Sequence, residues 1–388
     1  MTTKSYDVVV VGAGVTGAST AFHLATLQAG RVLLVDSGAP GSGMSSRSSA
    51  LIRMHYTFPP EVQLAVRSDA MFSRWTEVVA APAFVRRVGF VRVVLPGEEP
   101  LLRANVDMQR ALGADTRIVT AGELAELAPG LSTEGVSEAA YEPNGGFGNG
   151  SVVASDFAAS ARERGVTVRS GVRVTRLLDR LGRVAGIETD GGTIKAGTTV
   201  VATGVWSPPL LETAGVRLPI ECELHHVAIL RHKGPGAPLA CIDSTTGTYF
   251  RPEGSGETTL VGSFAGGRPA EPGDADRPVE EEALAKLAEA ASRRVPALEE
   301  AGIVRGVRGV YDMTPDSRPM IGRIGGLDGL VVAVGFSGMG FKISPAVGEA
   351  VAGIVTGEGP DWIDMRPFRP ERFAEGEPIR APFAYGDD

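Results

Sequence analysis

Cysteine, histidine and long apolar runs are scarce in this chain, and each shortage removes a class of protein. Two cysteines, Cys222 and Cys241, among 388 residues cannot build a disulfide framework or a cysteine metal cluster, and they fit a reducing, cytoplasmic setting. The five histidines show no HExxH-type spacing, so no catalytic metal is expected. No block of Lys and Arg occurs, and a net charge of −8 argues against nucleic acid, whose phosphates need clustered cations. No apolar run reaches about 18 residues without a glycine or a charge, so no membrane span is expected. Val8 to Ala29 is apolar enough to imitate a leader peptide, but Asp7 and a lone Lys4 make a poor positive flank. What remains, 43% hydrophobic and 22% charged, is an ordinary globular composition in a chain long enough for two or three domains.

The stretch from Tyr6 to Asp36 organises the rest. Val8 to Val11 is an unbroken β-branched run, expected as a strand buried on both faces of a parallel sheet. Gly12, Gly14 and Gly17 follow directly: the first permits the sharp turn into a helix, the second lets a pyrophosphate approach the backbone, and the third lets the helix lie close on the sheet. The helix start offers free N–H groups and a partial positive charge to phosphate oxygens. Arg31 to Val35 is a second buried strand ending in Asp36, about 20 residues beyond the last glycine, where an acid accepts hydrogen bonds from a ribose 2′-OH. Strand, glycines, helix, second strand and acid in register point to a dinucleotide site, with NAD and FAD both open at this stage.

Further along, the Ser/Gly-rich GSGMSSRSSALIRMHYTFPP suits a loop wrapping a polar ligand, and Pro59-Pro60 open an amphipathic helix to about Trp75. Phe84 to Leu95 reads as two strands turning near Gly89. Thr120 with Glu123 forms a capping box, Tyr141 to Gly150 reads as loop, and Ser155 is expected to cap a helix that Gly165 stops. Val166 to Val168 and Val172 to Leu177 are strands, and Val184 to Glu188 with Thr193 to Ala196 a hairpin. TTVVATGVWSPPL is a buried strand followed by a turn that could cover a long cofactor. Residues 217 to 264 alternate as antiparallel strands with one wet face, and Val279 to Arg294 is a charged helix ended by Pro296. GLVVAVGFSGMGFKISPAVGEAVAGIV reads as strand, glycine loop and helix, with Ser344-Pro345 as N-cap and N1. The expected fold is α/β: a Rossmann-type domain in pieces 1–80, 145–215 and 313–388, and an antiparallel-sheet α+β domain in 81–144 and 216–312.

The order of GAGVTG with Asp36, SSxxSSALIRMHY, VVATGVWS, YFRP, DMTPDSRPMIG and GFSGMGFKISP resembles the D-amino-acid oxidase superfamily of FAD enzymes, and within it the sarcosine oxidase, glycine oxidase and dimethylglycine dehydrogenase group. The resemblance spans roughly residues 5 to 357. It implies noncovalent FAD held on the parallel-sheet domain, with substrate bound between the domains at the flavin ring. Gly12, Gly14, Val15, Thr16, Gly17, Asp36 and Ser37 would take the ADP part, with Val174 at adenine and Ala202, Thr203, Gly204 and Trp206 covering the cofactor. Ser46, Ser48, Ser49, Ala50 and Leu51 match the segment passing the isoalloxazine, and Gly335, Phe336, Ser337, Gly338, Met339, Gly340 and Lys342 match the loop at its pyrimidine edge.

By the same resemblance Arg53 and Lys342 would clamp a substrate carboxylate, a planar fork and a point charge together fixing an anion, while Tyr249 and Tyr311 would face the substrate. His55, His225 and His226 are weaker acid/base candidates. Three departures from the group stand out: the flavin-attachment positions, the oxygen-activating position and the residue before the clamp lysine. Gly309 replaces the cysteine, and serines near Ser46 replace the histidine, that attach flavin covalently in relatives. Leu260 stands where sarcosine oxidase has its oxygen-activating lysine, and Met339 replaces a histidine before the clamp lysine. The activity implied is oxidation of an amino acid or N-alkyl amino acid by hydride transfer to flavin N5, giving an imine that water hydrolyses, with oxygen as the acceptor. Two rivals are a dehydrogenase passing electrons to a quinone or carrier protein, and an NAD-dependent or non-redox nucleotide-binding protein.

Overall fold

Strand Lys4–Val11 lies inside an eight-stranded sheet, parallel to Val32–Val35 on one side and to Gly192–Val201 on the other. Four successive valines, Val8 to Val11, are each at most 4% exposed, because helices cover one face and a second apolar layer the other. The computed structural model describes residues 4–82, 84–264 and 267–386. Thr167–Arg169 extends the sheet beyond Val32–Val35. Gly192–Val201 forks: its first residues pair antiparallel with Val184–Thr189, and its last pair parallel with Leu330–Val334. The second arm of the expected hairpin and the expected buried strand after it are therefore one long strand.

Helices Val15–Thr26, Gly150–Glu163 and Gly340–Thr356 bury Ala18, Phe22, Phe157, Val347 and Val351 in one core with the sheet. Ala- and Gly-rich faces let the first and last approach closely: a Cβ at Gly348 would lie 2.1 Å from Ser19 Oγ. The last helix begins at Gly340, capped by Met339, and not at Ser344-Pro345. Pro345 sits inside it, and the helix tolerates the missing N–H because the Ser344 hydroxyl donates to the Phe341 carbonyl at 2.8 Å. Ala346 N–H donates to Ser68 Oγ at 3.1 Å.

A nine-stranded, mostly antiparallel sheet takes strands from residues 90–142 and 221–313. Helix Glu281–Ser292 packs on one face through Leu284 and Leu287, and the other face carries Phe90, Tyr249 and Leu260. Between the sheets, Gly146–Phe147 pairs with both Leu51–Ile52 and Arg86–Arg87. That strand lies in the stretch expected as loop; its glycines are needed because a Cβ at Gly146 would come within 2.0 Å of the Arg86 carbonyl oxygen. The following helix is capped by Asn149, not Ser155: Asn149 Oδ1 accepts from Ser151 and Val152 N–H at 3.0 and 3.1 Å. The capping box of Thr120 and Glu123 and the positive-φ Gly165 after the helix are both present. Residues 379–386 leave the first sheet's side and reach the second, where Tyr385 packs with Val94, Leu102 and Val106. No helix is long and apolar enough to cross a membrane, among the described residues.

Candidate active site

A cleft of about 490 Å³ runs along the carboxyl ends of the parallel strands, where a doubly wound sheet places its ligands. Its wall carries Arg173 and Val174 at one part, Gly12, Gly14 and Asp36 near the first helix, and Tyr311, Gly338, Gly340 and Lys342 at another. Gly12 has φ +101, and a Cβ there would lie 2.4 Å from the Ala202 carbonyl oxygen, so only glycine makes this turn. Helix Val15–Thr26 has no side-chain cap and no acid in its first turn. Ser45 Oγ accepts the Val15 N–H at 3.1 Å. Asp36 accepts the Ala13 N–H at 2.6 Å and the Gly38 N–H at 2.7 Å, so it holds the glycine turn while facing the cleft.

At the other helix start, Gly340–Thr356 likewise has neither a side-chain cap nor an acid in its first turn. The loop before it is pinned from the second sheet: Asp312 accepts the Gly335 N–H at 2.8 Å, and the Asp312 carbonyl accepts the Ser337 N–H at 3.1 Å. Burial raises the Asp312 carboxyl to about 6, against hydrogen bonds from Phe336 and Gly335 that lower it. Ser337 and Ala50 both hold positive φ, +48 and +53, without being glycine. Two strained residues beside one cleft are what an over-determined ligand site produces.

Of the residues singled out from sequence, Gly12, Gly14, Val15, Thr16, Asp36, Ser37, Ser48, Ser49, Leu51, Val174, Ala202, Thr203, Gly204, Trp206, Tyr311, Phe336, Gly338, Gly340 and Lys342 line the cleft. Gly17, Ser46, Ala50, Gly335, Ser337 and Met339 do not. Gly17 packs against the Gly12 carbonyl, Ser46 is exposed and bonds back to Ser42 and Gly43, and Gly335, with φ +71, shapes the loop from behind. Sequence reasoning passed over Ser45, Arg47 and Arg173, which also line it; the first two lie in the Ser/Gly-rich stretch, where their hydroxyl and guanidinium were the available clue.

Arg53 and Tyr249 lie just behind the wall. Tyr249 lies flat across its cross-strand partner Gly262, where a Cβ would be 2.2 Å from Tyr249 Cζ, and Tyr311 and Ser49 lie near its hydroxyl. His225 stacks on the other side of Tyr311 at 4.1 Å. The Arg53 guanidinium lies over the Tyr56 ring at 4.3 Å and donates through Nη1 to the His55 carbonyl, while its Nε is buried with no acceptor. Desolvation pushes the Lys342 amine well below its ordinary range, Arg53 pushes it the same way, and Glu61 opposes. Glu61 is itself paired with Arg318 at 2.8 Å. Neither Arg53 nor Lys342 forms an ion pair among the described residues. His226 sits 3.4 Å from Glu280, outside the cleft. No group of three or more metal-ligating side chains is present among the described residues.

Two helix starts with no acid in their first turns open on this cleft, and with a glycine turn that leaves room at its centre they fit a group carrying phosphates at one helix and an electron-rich ring at the other. The chain matches the family described as FAD dependent oxidoreductase (DAO) over residues 7–354, and it belongs to that family. FAD is its cofactor, which sets aside the NAD-dependent and non-redox readings. A glycine oxidase from Geobacillus kaustophilus is 30% identical over 94% of this chain and 97% of its own length. A 4-methylaminobutanoate oxidase (formaldehyde-forming) from Paenarthrobacter nicotinovorans is 29% identical over 89% of this chain, which spans only 43% of that longer protein. Among solved structures, an L-proline dehydrogenase from P. horikoshii superposes with a TM-score of 0.89 at 27% identity, covering 97% of this chain and 100% of the other. These relatives act on amino acids or N-methyl amino acids, and the chain is an oxidoreductase of amino acids or amines.

Proposed function

We propose that the protein oxidises a small amino acid or N-alkyl amino acid at a carbon beside nitrogen, with Arg53 and Lys342 holding the substrate carboxylate. The observation that carries this reading is a pair of basic side chains, an Arg53 guanidinium with a buried orphan N–H just behind the cleft wall and a desolvated Lys342 amine lining it, neither of them in an ion pair among the described residues. The eight-stranded sheet and its helices would hold FAD, and the nine-stranded sheet would roof the substrate. FAD supplies the two-electron hydride acceptor for the reaction. Arg53 and Lys342 fix the carboxylate, which orients the adjacent C–H. Tyr249 and Tyr311 close the pocket against water. The start of helix Gly340–Thr356 points its free N–H groups where negative charge develops as the substrate is oxidised. No side chain is required as a base if the amine binds unprotonated.

FAD is held noncovalently in this reading, since Gly309 lines the cleft and, among the described residues, no cysteine or histidine does; acid precipitation should release all of the yellow chromophore. Changing Arg53 to Ala should raise KM for carboxylate substrates by about 30-fold or more. A panel of amino acids read by anaerobic flavin bleaching identifies the substrate, and an unchanged KM and kcat in the variant would remove Arg53 from the site. Oxygen is the acceptor we favour, as for the relatives named oxidases. The likeness to an L-proline dehydrogenase, together with the buried Leu260 in place of a cation, supports a second reading with a carrier as acceptor. Stopped-flow reoxidation in air-saturated buffer separates the two.

A further inference from the structure

Residues 379–386 form an irregular strap held at several points. The Ile379 N–H donates to Asp316 Oδ2 at 2.9 Å, Asn105 Nδ2 donates to the Phe383 carbonyl at 2.9 Å, and the Gly386 N–H donates to Glu98 Oε1 at 2.7 Å. Pro382, Ala384 and Gly386 are exposed, yet Tyr385 between them is only 4% exposed. A lone buried aromatic in such a segment is an anchor, and where it anchors is specific. Its hydroxyl lies 2.8 Å from His55 Nε2, with the two rings nearly parallel at 9°, and Arg92 lies over the tyrosine ring at 5.0 Å.

His55 is two residues from Arg53, and its carbonyl accepts the Arg53 guanidinium. The same turn is held on its other side by Glu142, which accepts the Met54 N–H at 2.8 Å. Arg53 therefore sits on a turn without regular structure, fixed by a buried carboxyl beneath it and by Tyr385 through the His55 ring. We propose that Tyr385 is a positioning residue for Arg53, so that a strap more than 300 residues away in sequence sets how tightly a substrate carboxylate is held. The inference rests on the carboxylate-binding role given to Arg53 above.

The test is Tyr385→Phe, which keeps the ring and removes the hydroxyl, in the FAD-loaded full chain, with sodium propionate as probe. Propionate binding is followed through perturbation of the flavin absorbance, and anaerobic flavin reduction is measured at saturating amino acid. Loss of one neutral hydrogen bond that fixes the turn should weaken propionate about fivefold, leave the limiting reduction rate within about twofold, and move the unfolding midpoint by no more than a few degrees. If Arg53→Ala weakens propionate strongly while Tyr385→Phe leaves it unchanged, the positioning role fails and the carboxylate site stands. A fall in unfolding midpoint with propionate affinity unchanged also overturns it, since the tyrosine then only stabilises the fold. If Arg53→Ala itself leaves propionate binding unchanged, the carboxylate site fails, and the role of Tyr385 with it.

Discussion

Lys342 should take up a proton when a carboxylate binds. In the free protein, desolvation and the neighbouring Arg53 charge disfavour its ammonium form. A carboxylate about 4 Å away, at the effective dielectric of about 20 suited to protein sites, favours the ammonium by about 4 kcal/mol, roughly a thousandfold. The sign follows. At low pH the lysine is already charged and affinity is independent of pH; above its free-protein pKa, each bound carboxylate draws in up to one proton and affinity falls by as much as tenfold per pH unit. Calorimetric titration of propionate in buffers of different ionisation heat measures this uptake directly. Lys342→Met should abolish it and weaken binding by about 2–5 kcal/mol. Arg53→Ala, by removing the repulsion, should move the uptake window to higher pH. No proton uptake anywhere between about pH 6 and 10 would refute the coupling.

Two further perturbations read the scaffold. Gly338 has φ +80 with a Cβ position 2.5 Å from Tyr311 Cε2, whereas Gly97 has φ +94 and nothing within 4 Å. Gly97→Ala should therefore cost only the backbone strain, about 1 kcal/mol, while Gly338→Ala should cost more and lower the FAD content of purified protein; equal unfolding midpoints and flavin ratios would count against the clash. Glu142, raised by burial from 4.5 to about 8 despite the Met54 hydrogen bond and the Arg53 charge, stays protonated in the fold over a range where the unfolded chain ionises. Its contribution to stability is full below about 4.5 and is lost as pH rises through about 8. Thermal midpoints from pH 5 to 9 should fall less steeply for Glu142→Gln than for the parent, and identical slopes would rule Glu142 out as the titrating group.

What the sequence made legible was what local geometry dictates. The glycine turn, the valine strand before it and Asp36 were readable because each follows from backbone space within a few residues, and the ordered motifs carried the family. Ser344-Pro345 misled because a proline usually marks a helix start; the Ser344 hydroxyl satisfies the freed carbonyl, a compensation visible only in three dimensions. Glycine disguised Gly146–Phe147 as loop, since its pairing depends on Arg86, far away in sequence. Ser155 resembled a cap, but the Asn149 side chain reaches the first free N–H groups instead. The layer behind the clamp, Tyr56, Glu142, His55 and Tyr385, had no periodic or motif signature. Those residues matter through contacts made at long range, and a buried glutamate or a tyrosine in a proline-rich tail reads locally as a surface residue.

An inner strand of the eight-stranded sheet, Lys4–Val11, leaves the ribosome long before one of its two partners. Val10 pairs early with Leu34 but finds its other neighbour only at Val200. At about 5–20 residues per second that edge waits roughly 10–40 s during synthesis. Leu330–Val334, which closes the far side of Gly192–Val201, arrives later still. Four adjacent valines with an unpaired edge are a strong invitation to misassembly over such an interval. Production of this protein should therefore respond more to chaperone supply and to slower, cooler expression than its final stability alone would suggest.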